Sequence, residues 1–127
     1  MSHPVLNDQP VTVFVIIAET LAQWQSPASE AGKQVLMAHY EWAAELKKNR
    51  QLILAGPVDV DLITNQKIHP LGHTTGLIML NVSTREEAVA LAEKDPFHLH
   101  AYRKNHVHAL KITMTDAHNL THLNNTI

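Results

Sequence analysis

Two residues of this chain stand out as candidates for acid–base catalysis, and the first is His39. It stands between Val35 and Trp42 in a row of apolar residues repeating every three or four positions, a spacing typical of the buried face of a helix. A histidine there is either a core residue whose ring nitrogens find backbone or water partners, or a general base at the edge of a cleft. Its position alone favours the first interpretation.

The second residue is Asp95, in the segment Asp95-Pro96-Phe97. A residue before proline avoids the helical region, so this segment ends a helix, and the aspartate most often binds nearby backbone amides. The alternative is that its carboxylate orients a histidine, as in other acid–base pairs. The local sequence leaves both interpretations open.

Histidines are abundant, ten in all, and four of them form the pairs His98/His100 and His106/His108. Residues two apart on a strand share a face, so the second pair has the spacing to hold one metal ion. A zinc site needs three or four placed ligands, however, and the sequence fixes no third one. We therefore favour surface or subunit-interface roles for these pairs and expect no metal; the histidines at 69 and 73 are weaker candidates still.

The aromatic residues and the serines are weaker candidates for a functional site than His39 and Asp95. Trp24, Tyr40 and Tyr102 have the shape to line a pocket for a flat ligand, but tyrosines more often present a polar tip at the edge of a core, where Trp42 is expected to lie. Ser26 is interpreted as a helix cap. Ser83, which opens the capping-box sequence Ser83-Thr-Arg-Glu, is interpreted in the same way, so neither serine is expected to be a nucleophile.

The elements that must position these residues follow the order strand, helix, strand, strand, helix, strand. Hydrophobic periodicity predicts strands over 11–18, 52–55, 76–82 and 106–114, and helices from about 27 or 29 to 50 and from 83 to 95. Gly56-Pro57 is expected to stop the second strand. This is the ferredoxin-like order, an α+β fold with both helices on one face of a four-stranded antiparallel sheet. The loop 58–74 is long enough to be functional or mobile, and 115–127 is interpreted as a polar tail.

The open face of that sheet predicts a partner. In Val11–Ala18 the odd and the even positions are both almost wholly apolar, whereas a solvated face would alternate with polar residues. A homodimer with two sheets packed face to face is the simplest arrangement that covers such a surface.

Composition sets the outer limits. The chain has 127 residues, 45% of them apolar, which fits one globular domain over 1–127 with its core at 11–114. It has no cysteine, which excludes disulfides, thiol nucleophiles and cysteine-ligated metals. A net charge of −2 with no basic face disfavours nucleic acid. The run at 11–18 is too short for a membrane span or a signal peptide, so we expect no membrane partner and a cytoplasmic location.

Three separated motifs together resemble the YCII-related (YciI-like) family, of the dimeric α+β barrel type. They are Ala38-His-Tyr-Glu-Trp-Ala-Ala-Glu-Leu46, Leu54-Ala-Gly-Pro57 and Asp95-Pro-Phe97, and the match extends over about 11–114. The resemblance implies a ferredoxin-like subunit that dimerises through its sheet. It also implies a cleft with an active histidine and aspartate, which correspond here to His39 and Asp95. The activity suggested for the family is lyase- or isomerase-like chemistry on small cyclic or aromatic compounds.

The sequence thus predicts a homodimeric enzyme that needs no cofactor and uses His39 and Asp95 in acid–base work on a small molecule. The two side chains should lie within hydrogen-bond reach beside a concave pocket. The expected substrate-binding residues are Gly56, Pro57, Phe97, Tyr102, His98 and His106. The alternative is a non-catalytic module of the same fold that binds a small ligand or a protein.

Overall fold

The computed structural model describes residues 10–59 and 74–123, and its main elements follow the predicted order. The strands are β1 (Val11–Thr20), β2 (Leu52–Asp59), β3 (Thr74–Leu80) and β4 (Arg103–Ile112). The helices are α1 (Glu30–Lys48), α2 (Arg85–Ala92), α3 (Pro96–Leu99) and α4 (Ala117–Thr121). Most of the loop predicted at 58–74, with both of its histidines, lies outside the described residues, as does the end of the tail.

The strands form one antiparallel sheet in the order β2-β3-β1-β4, which confirms the ferredoxin-like α+β prediction. The long apolar β1 lies inside the sheet, between β3 and β4. One face carries the core, in which side chains of β1 and β3 pack against α1 and α2. Its buried members are Phe14, Ile16, Leu46, Ile78, Leu80, Ala88 and Ala92.

Helix α1 has the predicted apolar face, on which Val35 and Leu46 are buried and His39 and Trp42 are half-buried. Its start differs from the prediction. The N-cap is Ser29, whose hydroxyl accepts a hydrogen bond from the Gly32 amide at 3.1 Å. Ser26 is no helix cap: its side chain accepts from the Ala28 amide, and its carbonyl accepts from the Ser29 hydroxyl.

Strand β2 is longer than predicted, because Gly56 and Pro57 do not stop it. The strand lies at the edge of the sheet, and Pro57 stands opposite Gly76 on its one neighbour, β3. A proline is tolerated at an edge because its missing N–H leaves the ladder intact there. Because β2 continues through Gly56 and Pro57, both residues lie in the edge strand beside the cleft that α1 also lines.

Other parts of the chain also differ from the prediction. The N-cap of α2 is Thr84, not Ser83: its hydroxyl accepts from the Glu87 amide and donates to the Glu87 carboxylate, so the cap lies one residue later than predicted. Strand β4 begins three residues earlier than predicted, at Arg103. The segment after 115 is not only a tail, because it contains the short helix α4, capped by Asp116.

Helices α1 and α2 both pack on the core face of the sheet, and the opposite face exposes apolar side chains. Ile17 is 42% exposed, and Leu54 and Leu110, which lie on the same face through their strand pairing, are exposed to similar extents. The predicted homodimer would cover these side chains. Separately, within 10–59 and 74–123 no helix is long and apolar enough to cross a membrane.

Candidate functional site

The site is built around Asp95, which begins the short helix α3. Its backbone is extended, as an N-cap requires, and its Oδ1 accepts from the Phe97 amide at 3.0 Å. Its Oδ2 accepts from the Asn105 side-chain amide, also at 3.0 Å. The residue is only 1% exposed. A buried carboxylate needs such donors, because burial without partners is costly.

The third donor to Asp95 comes from α1. Nδ1 of His39 lies 2.7 Å from Asp95 Oδ1, which confirms the prediction that the two side chains lie within hydrogen-bond reach. The His39 ring also stacks on Phe97, with ring centroids 4.5 Å apart. An ionised carboxylate only accepts hydrogen bonds, so in a neutral His39 ring this contact places the hydrogen on Nδ1 and leaves the lone pair on Nε2. Among the described residues Nε2 has no hydrogen-bond partner.

His39 and Asp95 border a cleft of about 470 Å³ between α1 and the sheet. That volume falls in the range of small-molecule sites, about 300 to 1,000 Å³. The lining is mainly apolar and aromatic, with polar groups from His39, Tyr40, Asp95 and Arg103. The His39 side chain is 14% exposed, so the histidine is neither sealed in the core nor free in solvent.

Three of the predicted binding residues, Gly56, Pro57 and Phe97, line this cleft. Its pairing with Leu77, opposite Ile17, turns the missing side chain of Gly56 to the open face of the sheet, where an added Cβ would meet nothing within 4 Å, so Gly56 borders the cleft through its backbone. Trp24 and Tyr40 line the cleft as well, whereas Trp42 packs in the core and donates from Nε1 to the Leu91 carbonyl. The binding role of these residues stays a prediction.

Tyr102, His98 and His106 are not brought to this cleft. Tyr102 is buried behind it, against Trp24 and Phe97. His98 and His106 line a second, more open depression of about 340 Å³ beside α2 and β4. His98 Nδ1 accepts from the Asn105 backbone amide, and His106 Nε2 lies 2.9 Å from Glu19 Oε1. For His106 the physical reason is strand alternation: β4 turns its odd-numbered residues toward the helices and His106 toward the other face.

His100 and His108 are exposed. In the part of the chain that the structure describes, no group of three or more histidines, aspartates or glutamates is placed to hold a metal ion.

Sequence patterns missed Arg103. It is 9% exposed and lines the cleft, with its guanidinium carbon 4.9 Å from the Trp24 ring centroid and 4.6 Å from that of Phe97. Burial lowers the pKa of this guanidinium, and the charges of Asp95 and Tyr40 oppose that effect. The signal was the alternation of β4: continued back from Val107, it places Arg103 on the helix-covered face.

Comparison with known proteins agrees with the fold. A solved structure of 5-chloro-2-hydroxyhydroquinone dehydrochlorinase (TftG) from Burkholderia phenoliruptrix AC1100, in complex with 2,5-dihydroxybenzoquinone, is similar with a TM-score of 0.54. The match covers 76% of this chain and 90% of that one, at 15% sequence identity, and so concerns the fold alone. No curated protein is significantly similar in sequence. The model of the YCII-related domain matches residues 12–112, most of the chain, as the sequence motifs predicted. The chain therefore belongs to the YCII-related domain family.

Proposed function

We propose that this protein is a cofactor-independent lyase or isomerase that acts on a small oxygenated ring compound. His39 accepts and donates the proton, and Asp95 positions the His39 ring. The observation that carries the proposal is the 2.7 Å contact between His39 Nδ1 and a buried Asp95 carboxylate, at the wall of a cleft of small-molecule size. The dehydrochlorinase of the same fold, bound to a dihydroxybenzoquinone, supports the choice of substrate class.

The chemistry follows from the tautomer. Neutral His39 with its hydrogen on Nδ1 accepts a substrate proton at Nε2, and the resulting imidazolium is stabilised by the adjacent carboxylate. In an isomerase the proton returns to a different atom of the same molecule. In a lyase the electron pair left behind expels a leaving group such as chloride, and the proton is released to solvent. Neither route requires an external oxidant or reductant.

The apolar walls suit the rest of the ligand. Phe97 itself is only 2% exposed, between His39 and Arg103, whereas the half-buried Trp24 and the exposed Tyr40 leave ring surface at the cleft against which a flat ring compound can pack. On the sheet side of the cleft, Ala55 has only a methyl group and Gly56 contributes only backbone, so a ring can approach this strand closely.

A turnover screen tests the proposal. Wild type, His39→Asn and His100→Asn are given hydroxylated and chlorinated hydroquinones, beginning with 5-chloro-2-hydroxyhydroquinone, while absorbance and free chloride are followed. Wild type should convert at least one compound, and His39→Asn should be slower by about 10²- to 10⁴-fold, the usual contribution of a general base. His100→Asn removes an exposed imidazole outside the cleft and should keep wild-type rates. Binding of these compounds without turnover by wild type would favour the non-catalytic binding module instead.

A further inference from the structure

Arg103 is a buried cation with an incomplete set of partners. Its Nε has no hydrogen-bond partner among the described residues. Within the same part of the chain, the ion pairs closer than 4 Å are His39–Asp95 and His106–Glu19, so no carboxylate there pairs with Arg103. Asp95, the carboxylate whose charge acts on it from further away, already accepts from three donors.

A purely structural role does not satisfy this side chain. The Trp24 and Phe97 rings attract the guanidinium through their faces, which is a cation–π contact. The five N–H groups of a guanidinium, however, point outward in its own plane, where an aromatic face cannot accept them. The aromatic rings thus hold the charge in place while its in-plane donors still require oxygen acceptors.

The sheet makes room for the guanidinium at Gly76. A Cβ at that position would lie 2.9 Å from Arg103 Nη1, so any larger residue would displace the end of the arginine side chain. Gly76 does not have a positive φ, which means that space, rather than backbone conformation, is what its missing side chain provides. Gly76, Trp24 and Phe97 together fix Arg103 in the same cleft as His39.

We propose that Arg103 binds an anionic oxygen of the ligand in this cleft, and that the substrates are therefore ring compounds bearing an ionised hydroxyl. The inference rests on the proposed function in placing the ligand beside His39. When His39 takes a proton from such a ring, the negative charge spreads by conjugation onto the ring oxygens. A fixed guanidinium stabilises that charge without having to reorganise.

Calorimetric titration with two matched probes tests the inference without requiring turnover. At mildly alkaline pH, 4-nitrophenol is an anion and its methyl ether, 4-nitroanisole, is neutral. Wild type should bind the phenolate at least about tenfold more tightly than the ether, the ratio that one charge-assisted hydrogen bond supplies. Arg103→Met should lose this preference. Lys104→Met, which removes one positive charge from the next, exposed residue, should keep it.

Two further results complete the test. In wild type the ¹H–¹⁵N signal of Arg103 Nε should move when the phenolate binds and stay in place with the ether, a readout that holds even if Arg103→Met does not fold. Equal binding of both probes, binding of neither, or a preference that survives in Arg103→Met would overturn the inference while leaving the acid–base role of His39 intact. Conversely, a phenolate preference that depends on Arg103 would stand even if His39→Asn had no effect on turnover.

Discussion

At the scale of single residues, Asp95 combines the two roles that its sequence context suggested as alternatives. It caps α3 through the Phe97 amide and holds His39 through the same oxygen. The helix stop fixes the direction of the carboxylate, and α1 brings the imidazole to it. A structural interpretation of an Asp-Pro pair therefore does not exclude a functional one.

Replacing Asp95 with asparagine should affect both roles. An amide whose oxygen takes the place of Oδ1 keeps the cap and the His39 contact, but its NH₂ group then faces the Asn105 side-chain amide, whereas the flipped amide loses both the cap and the His39 contact. We expect a loss of about 1–3 kcal/mol in the free energy of unfolding, the cost of an unsatisfied buried polar group. Asp116→Asn, at the exposed cap of α4, should change it by no more than about 0.5 kcal/mol.

The positioning role has its own readout in the same variant. In wild type the ¹⁵N shifts of the His39 ring should report hydrogen on Nδ1, and in Asp95→Asn a mixture of both tautomers. An unchanged tautomer, together with unchanged turnover, would show that Asp95 acts only as a cap.

At the scale of elements, the start of α1 shows what a glycine can do inside a helix. By helix propensity alone, Gly32 is expected to destabilise the first turn of α1 relative to alanine. In the structure, however, it is buried, and a Cβ there would overlap the carbonyl oxygen of Ser26. The turn at Ser26 can pack against α1 only because Gly32 has no side chain.

Gly32→Ala should therefore destabilise the protein, although alanine is the better helix former. We expect a loss of about 1–3 kcal/mol from overpacking, against a propensity gain of about 1 kcal/mol. Ala44→Gly, at an exposed position of the same helix, serves as the control, because it measures the propensity term alone and should cost about 1 kcal/mol. Chemical denaturation measures both, and a Gly32→Ala protein more stable than wild type would refute the packing argument.

The elements also show how far sequence patterns reach. The apolar run of β1 and the repeating apolar face of α1 predicted the fold and the position of His39, because burial on one side leaves a periodic signal. The extension of β2 through Pro57 was missed, because whether a proline is tolerated depends on the strand being at an edge, which only the assembled sheet decides. Arg103 was missed for a related reason: its burial depends on aromatic rings from distant segments.

At the scale of the whole molecule, the open sheet face requires a cover. Ile17, Leu54 and Leu110 lie on the face opposite α1 and α2, and each is about two-fifths exposed. A second copy packed sheet to sheet would bury on the order of 1,600 Å² in total, the size of a standard stable interface. The dimer remains a prediction from this surface.

Ile17→Lys tests the dimer directly, because a charge buried between two apolar sheets is costly. The variant should sediment as a monomer at concentrations where wild type is a dimer. Met37→Lys places the same charge at an exposed apolar residue of α1, on the opposite side of the sheet, and should leave the dimer unchanged. Wild type that sediments as a monomer at micromolar concentration would rule out the sheet-face dimer.

The central claim, that His39 moves a proton of a ligand in the cleft, is tested most directly by isotope exchange. The measurement is the rate at which deuterium from D₂O replaces ring-bound hydrogen in 2,5-dihydroxybenzoquinone, followed by proton NMR. Wild type should accelerate this exchange, His39→Asn should reduce the enzymatic rate by about 10²-fold or more, and His100→Asn should match wild type. Equal exchange rates for wild type and a folded, ligand-binding His39→Asn variant would contradict the claim.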